Sequence, residues 1–242
     1  MRRFLPTALL GLSMLLLSTG LGWASGADVP DAQTLLDQMR EAWSRVEDYQ
    51  ASVEVRSREE NGSFETQKFL YTFKKPLCIR LDLESPHAGM ILIYPDEAGK
   101  VLVRPSGILS FLGFHLAPDS PRIEETSGQP IDRTDLGQLI DNIGRSLTDG
   151  RLGQPTITRE DGRLVIRVLA RNHFRPDAAT LYRFFIDGEL HLPVAVEEST
   201  PEDRLLRTIT FGDLRLNTGV AESLFRLDGG AATACNGGAD GS

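Results

Sequence analysis

The side chains best suited to chemistry are few and scattered. Three carboxylate doublets stand out: Glu59-Glu60, Glu124-Glu125 and Glu197-Glu198. Paired acids can supply the acid and base of glycoside hydrolysis. In a chain with 34 acidic residues, however, such doublets arise from composition alone, and these fall at turns or strand ends, where solvated surface accounts for them. His87, His115, His173 and His191 are isolated from one another and read as polar surface or edge residues, not as a metal cluster. Ser110 lies between Gly107 and Gly113 without the spacing of a nucleophile elbow. No Gly-rich phosphate loop, HExxH or CxxC is present. Asn61-Gly62-Ser63 matches a glycosylation sequon, but a turn explains it. No catalytic residue, metal ligand or cofactor site is nominated, and the chain reads as non-enzymatic.

Charge and cysteine content narrow the partners. The 242 residues carry 26 basic and 34 acidic side chains, a formal net of −8. No basic excess exists to neutralise phosphates, which argues against nucleic acid. Two cysteines, Cys78 and Cys235, exclude a disulfide-dense scaffold and a four-Cys zinc site. They could pair in an oxidising compartment. Cys78 falls inside a strand pattern and Cys235 in a Gly/Ala-rich tail, which disfavours the bridge.

The elements that must position any site begin after an address. Arg2 and Arg3 precede an apolar stretch from Ala8 to Leu21, and small residues follow at Ala24, Ser25, Gly26 and Ala27. This is the pattern of a cleavable signal peptide. Cleavage after Ala24 or Ala27 is compatible, with Ala27 preferred, so residues 1–27 are expected to leave. Two arginines and no acids go with them, giving 24 basic against 34 acidic residues and a net of −10. That balance disfavours direct contact with an anionic membrane surface. Residues 28–227 then form a single exported domain, read as a monomer. Residues 228–242, with nine Gly or Ala, read as a disordered tail.

Within the domain the hydrophobic period is first 3.6, then 2. Leu35, Leu36, Met39, Ala42, Trp43 and Val46 make one stripe of a helix over 31–47, with Asp31 as N-cap. Val53 and Val55 alternate with charged residues before Asn61-Gly62, a type I′ hairpin signal. Phe69, Tyr71 and Phe73 share a face of the next strand, as do Ile79, Leu81 and Leu83 of the one after. Met90–Tyr94 is apolar throughout, and Val101 and Val103 mark a fifth strand. A second helix, N-capped by Thr134, carries Leu136, Leu139, Ile140, Ile143 and Leu147. Further hairpins turn at Asp161-Gly162 and Asp187-Gly188. About ten or eleven strands with one apolar face tend to curl, and that face needs helices to cover it. The expected fold is mainly β with α: an unclosed antiparallel β-barrel whose concave face is covered by helices.

One segment does not fit this alternation. Residues 105–118 carry Ile108, Leu109, Phe111, Leu112, Phe114 and Leu116 between two prolines. They read either as a loop plugging the core or as a movable apolar lid over a cavity.

The order of elements resembles the LolA-like superfamily of periplasmic lipoprotein carriers. The likeness is carried by Trp43…Val46-Glu47-Asp48-Tyr49-Gln50-Ala51, Phe73-Lys74-Lys75-Pro76-Leu77-Cys78-Ile79-Arg80-Leu81, Leu192-Pro193-Val194 and Phe211-Gly212-Asp213-Leu214-Arg215-Leu216-Asn217. The stretch from Lys75 to about Leu147 looks closer to an uncharacterised bacterial branch of that superfamily. The resemblance implies a concavity that holds acyl chains of lipid or lipoprotein. The residues pointing inward would be Val53, Val55, Phe69, Tyr71, Phe73, Ile79, Leu81 and Val101. Core packing against the helices explains these same residues equally well. Leu109, Phe111 and Phe114 would form the lid. In the carriers a basic residue before the strand-ending proline fastens the lid; here that position is Lys75, which offers a point charge where the carriers have an arginine fork. The alternative function is an envelope-stress sensor or scaffold that binds a partner protein.

Overall fold

The computed structural model describes residues 29–123, 129–227 and Cys235. The expected signal segment, the Glu124-Glu125 doublet and the tail apart from Cys235 lie outside them. Helix α1 spans Ala32–Ser44. Strands β1 (Asp48–Arg58), β2 (Phe64–Lys74), β3 (Cys78–Ser85), β4 (Ile91–Tyr94), β5 (Val101–Arg104) and β6 (Phe114–Leu116) follow. Helix α2 spans Leu136–Leu147. The chain returns as β7 (Thr156–Glu160), β8 (Arg163–Arg171), β9 (Ala179–Asp187), β10 (Pro193–Ser199) and β11 (Leu205–Leu216).

All eleven strands form one antiparallel sheet in the order β6-β5-β4-β3-β2-β1-β11-β10-β9-β8-β7. The first six step outward to one edge. The chain then crosses beneath the sheet through α2, restarts at the opposite edge, and works back until β11 pairs with β1. The barrel therefore stays open, as expected, and its free edges are the short strands β6 and β7, a common way to limit edge pairing. The sheet bends where β1 and β11 shift register between Gln50 and Ser52. Gly212 pairs with Ser52 at that irregularity.

Helices α1 and α2 lie on the concave side. Leu35, Leu36, Met39 and Ala42 of α1 and Leu136, Ile140, Ile143 and Leu147 of α2 join one core with the inward strand residues. The helices meet closely at Gly137, where a Cβ would approach the Trp43 ring to 2.6 Å. Asp31 caps α1 as expected, accepting from the Gln33 and Thr34 amides at 2.9 Å each. For α2 the cap is Asp135, one residue beyond the expected Thr134, accepting from Gly137 and Gln138. Tyr49 and Tyr71 tie this helix entry to the sheet. The Tyr49 hydroxyl accepts from the Leu136 amide at 3.2 Å, and the Tyr71 hydroxyl lies 3.0 Å from Thr134 Oγ1. Burial holds both phenols above their ordinary pKa.

Two turn expectations separate. Asp161 and Gly162 both have positive φ, as a type I′ turn requires. At Asn61-Gly62 only Gly62 does, and the loop from Glu59 to Ser63 closes through Gly62 N–H to the Glu59 carbonyl. The extra residues between β1 and β2 remove the need for two left-handed positions.

A second, smaller core lies on the convex face. Cys78, Ile91 and Ile93 are covered there by Val220, Phe225 and Cys235. Cys78 and Cys235 are joined by a disulfide, contrary to the sequence expectation. After β11 the chain folds over β3 and β4 through a short 3₁₀ turn, Glu222–Phe225, and so brings the distant cysteine back to the strand. The fully apolar Met90–Tyr94 carried that information: Leu92 packs in the concave core, while Ile91 and Ile93 need cover on the other side.

Candidate functional site

An apolar cavity of about 40 Å³ lies between the concave sheet face and the helices. Val53, Val55, Phe69, Tyr71 and Leu81 from β1–β3 form one wall. Tyr182, Phe184, Val196, Ile209 and Phe211 from β9–β11 form the other, with Leu139 of α2 above. The volume holds a water molecule or two at most, well below the roughly 300–1,000 Å³ typical of ligand pockets. The concavity is too narrow for an acyl chain in this conformation.

The structure divides the residues named from the sequence. Val53, Val55, Phe69, Tyr71 and Leu81 border the cavity. Phe73 does not. It packs with Trp43 and Tyr49, ring centroids 5.4 and 5.1 Å away. Ile79 and Val101 are fully buried in the surrounding core. Lys75 lies at the C-terminal end of α1, where its Nζ donates to the Trp43 and Ser44 carbonyls and sits 5.4 Å from the Trp43 ring. Opposed to the negative end of the helix dipole, it ties α1 to the β2–β3 turn. Leu109, Phe111 and Phe114 are 47%, 79% and 47% exposed and border neither this cavity nor the cleft beside it. The 105–118 segment neither plugs the core nor covers the cavity here. It forms a 3₁₀ turn, Gly107–Leu109, leading into edge strand β6.

Polar residues for which the sequence suggests a surface position or no role also line the cavity, Glu198, Arg207 and His173 among them. Glu198 and Arg207 are direct partners across β10 and β11. Burial raises the Glu198 carboxyl above its usual range and lowers the Arg207 guanidinium below its own. Arg207 Nε and Nη2 are buried without a hydrogen-bond acceptor. Period two would have found both. Glu198 is two residues from Val196, and Arg207 is two from Ile209, so each shares its neighbour's inward face.

His173, expected at the surface, is half-buried and stacks on Tyr182 with ring centroids 4.5 Å apart. Its Nε2 lies 2.8 Å from Ser146 Oγ, and its backbone N–H donates to the Tyr182 hydroxyl at 3.1 Å. Burial first, then the Arg145 charge, lowers its pKa to about 4. The folded protein therefore keeps His173 neutral where an unfolded chain, with the ordinary value near 6.5, would begin to protonate it. Below pH 6.5 the unfolded state binds more protons, so stability falls as pH drops to about 4 and that loss is then complete, at most about 3 kcal/mol. Denaturant midpoints measured across this range should show a shallower decline for His173→Gln than for the native protein; parallel curves would refute this role.

A second, more polar space adjoins the cavity. This cleft, about 700 Å³, lies along α1 and α2 and is bordered by Arg40, Arg133, Gln138, Asp141 and Arg145, among others. Arg133, Asn142, His173 and Phe174 border both spaces. Among the described residues, no helix is long and apolar enough to cross a membrane.

The chain matches no family model, and no curated protein matches its sequence. Solved structures do match, at low identity. An uncharacterized conserved protein from Thermus thermophilus aligns over 80% of this chain and 91% of its own, at 12% identity and a TM-score of 0.48. A LolA superfamily protein from Nitrosomonas europaea aligns over 84% of this chain and 99% of its own, at 10% identity and a TM-score of 0.39. The complex of Pseudomonas aeruginosa MucA and MucB provides a third match, covering 82% of this chain and 61% of the other, at 18% identity and a TM-score of 0.40. A LolA superfamily protein is thus among the solved structures to which this chain is similar.

Proposed function

We propose that the protein is an exported, non-enzymatic periplasmic carrier that holds acyl chains of lipid or lipoprotein between its concave sheet face and its two helices, and that it serves lipid or lipoprotein traffic toward the outer membrane. The observation that carries this reading is the apolar cavity walled by strands from both halves of the sheet and roofed by α2. Each buried CH₂ contributes about 0.8 kcal/mol, so a long chain needs no covalent attachment to be retained. Because the cavity is far smaller than an acyl chain, loading requires the helices to separate from the sheet. The Lys75 contact with α1 and the tyrosine contacts at the entry of α2 are the attachments such a movement would break. Lys75 would then act as the fastening of the lid, with the helices as the lid itself.

Native mass spectrometry of the protein purified from its own envelope tests this. Lipid-sized adducts are expected, and Val55→Phe, whose ring occupies the cavity, should reduce their occupancy severalfold at temperatures where the unfolding curve shows the variant folded. A lipid-free protein would overturn the reading. The second reading, a sensor or scaffold that binds a partner protein, draws on the exposed apolar segment around Ile108 and Phe111, 91% and 79% exposed. A co-purifying polypeptide in place of lipid would favour it.

A further inference from the structure

We infer that the cargo is an acyl lipid with an anionic headgroup, held by the arginines of the cleft while its chains enter the apolar cavity; this rests on the carrier reading above. The two spaces form one bipartite site. The cleft is large and polar, the cavity apolar, and the boundary between them consists of Arg133, Asn142, His173 and Phe174. An amphiphile matches that division, head in the cleft and tail beyond the boundary.

The sign of the headgroup follows from the lining. The whole chain has a net charge of −8, yet among the described residues the cleft carries Arg40, Arg133 and Arg145 against one carboxylate, Asp141. Arg145 projects from α2, where it donates to Asn142 Oδ1. Arg40 reaches across from α1, its Nη2 3.3 Å from the position a Cβ on Gly144 would take, and its tie to Asp37 at 3.6 Å is exposed. Such an exposed pair is weak and is readily exchanged for a phosphate or carboxylate. Converging guanidinium groups on a protein that is acidic elsewhere make a local trap for an anion.

Arg207 adds an independent observation inside the cavity. Its buried Nε and Nη2 have no acceptor, although an unmade hydrogen bond of this kind is costly. The neighbouring Gln129 amide, oriented with its oxygen toward Nη1 at 3.3 Å, leaves those two donors open. Glu198, facing Arg207 across the ladder, prevents the cavity from being simply cationic. Two parallel donors in a largely apolar wall suit the carbonyl oxygens that join a headgroup to its chains. The arginines of the cleft would therefore read the charge, and Arg207 the linkage below it.

The test is a competition within one vesicle population containing equal amounts of phosphatidylglycerol and phosphatidylcholine with identical chains. Any repulsion between the acidic protein and the surface then acts on both lipids. Protein is incubated, separated and its bound lipid identified by mass. Phosphatidylglycerol should exceed phosphatidylcholine by about tenfold, the value of one charge-assisted contact. Arg133→Gln, and separately the more exposed Arg40→Gln, should each bring the ratio toward one while total loading persists. Arg133→Lys should retain part of the preference, and salt should narrow it. Equal loading of both lipids by the native protein, or a ratio unchanged in both glutamine variants, would overturn the headgroup assignment alone. Loading of neither lipid would instead sink the carrier reading and this assignment with it. Palmitate bound as tightly as phosphatidylglycerol would identify a carboxylate as an equal source of the negative charge and would overturn the role given to Arg207 in reading an ester linkage.

Discussion

Asp48→Ala should lower the stability of this protein by about 3–5 kcal/mol, a large share of the total for a domain of this size. Asp48 is only 5% exposed, at the first position of β1. Its Oδ1 accepts from the Thr218 amide at 2.7 Å and the Thr218 hydroxyl at 3.2 Å, and its Oδ2 accepts from the Gly219 and Val220 amides at 3.1 Å each. The Asp48 backbone carbonyl also accepts from the Asn217 amide at 2.8 Å. Asn217 in turn links to the end of α1, accepting from the Glu47 amide and donating to the Arg45 carbonyl. One carboxylate thus secures the place where the first strand, the last strand and the exit from α1 meet. Alanine would leave three backbone N–H groups without that acceptor; the Val220 amide is buried and the other two partly so, and each costs roughly 1–3 kcal/mol to the extent that water is kept out. Asp48→Asn keeps one oxygen and should lose about half as much. Chemical denaturation of the three proteins, with unchanged m-values, would establish the ranking. Equal stability of Asp48→Ala and the native protein would show that water replaces the carboxylate.

The sheet was legible because its strands obey period two. Val53/Val55, Phe69/Tyr71/Phe73 and Ile79/Leu81 each announce a buried and an exposed face, and consecutive hairpins leave few topologies for an antiparallel meander. The helices were legible from their stripes. What could not be read locally is pairing at a distance. Nothing in Asp48 itself names Thr218, and Cys78 and Cys235 are 157 residues apart. Their contact depends on the path of the chain after β11, which has no periodicity to follow.

The site was legible in its apolar half only. Cavity wall and ordinary core have the same composition, so Val53 and Ile79 look equivalent until three dimensions separate them. The polar half is easily discounted because Glu198 sits in a doublet and His173 in a connection, settings that usually mean surface. Their placement on the inward face follows from Val196 and from stacking on Tyr182. A charged residue in phase with an apolar strand face is the more telling sign, since burying it is costly unless it serves a purpose. The exposed 105–118 segment shows the opposite error. Its apolar residues suggest burial, yet Ile108, Leu109, Phe111, Leu112 and Phe114 are exposed at the edge of the sheet, while Leu116 packs against the concave core.

Replacing both Cys78 and Cys235 with serine should lower stability by roughly 2–5 kcal/mol. The bridge closes a loop defined by a sequence separation of 157 residues, for which the chain-entropy estimate is about 5 kcal/mol, while native bridges commonly yield less. The serines would also place two hydroxyls in a small apolar cluster with Ile91, Ile93, Val220 and Phe225. Unfolding midpoints of the native protein with and without reductant, beside the double variant, separate these contributions. Reduced native protein should fall between the other two, because its thiols remain compatible with the cluster. An unchanged midpoint on reduction would show that packing alone holds the chain after β11 in place. Other contacts of that segment are the Asp48 bonds to Thr218, Gly219 and Val220 at its start, and, nearer the bridge, Arg80 Nη1 to the Leu224 carbonyl at 2.7 Å and Lys74 Nζ to the Val220 carbonyl at 3.2 Å. The cluster lies across the sheet from the cavity, and the cavity wall includes none of its residues. Lipid loading by the double variant should consequently equal that of the native protein at temperatures where both are folded. A parallel loss of loading would mean that the convex face sets the curvature of the sheet, and with it the shape of the site on the other side.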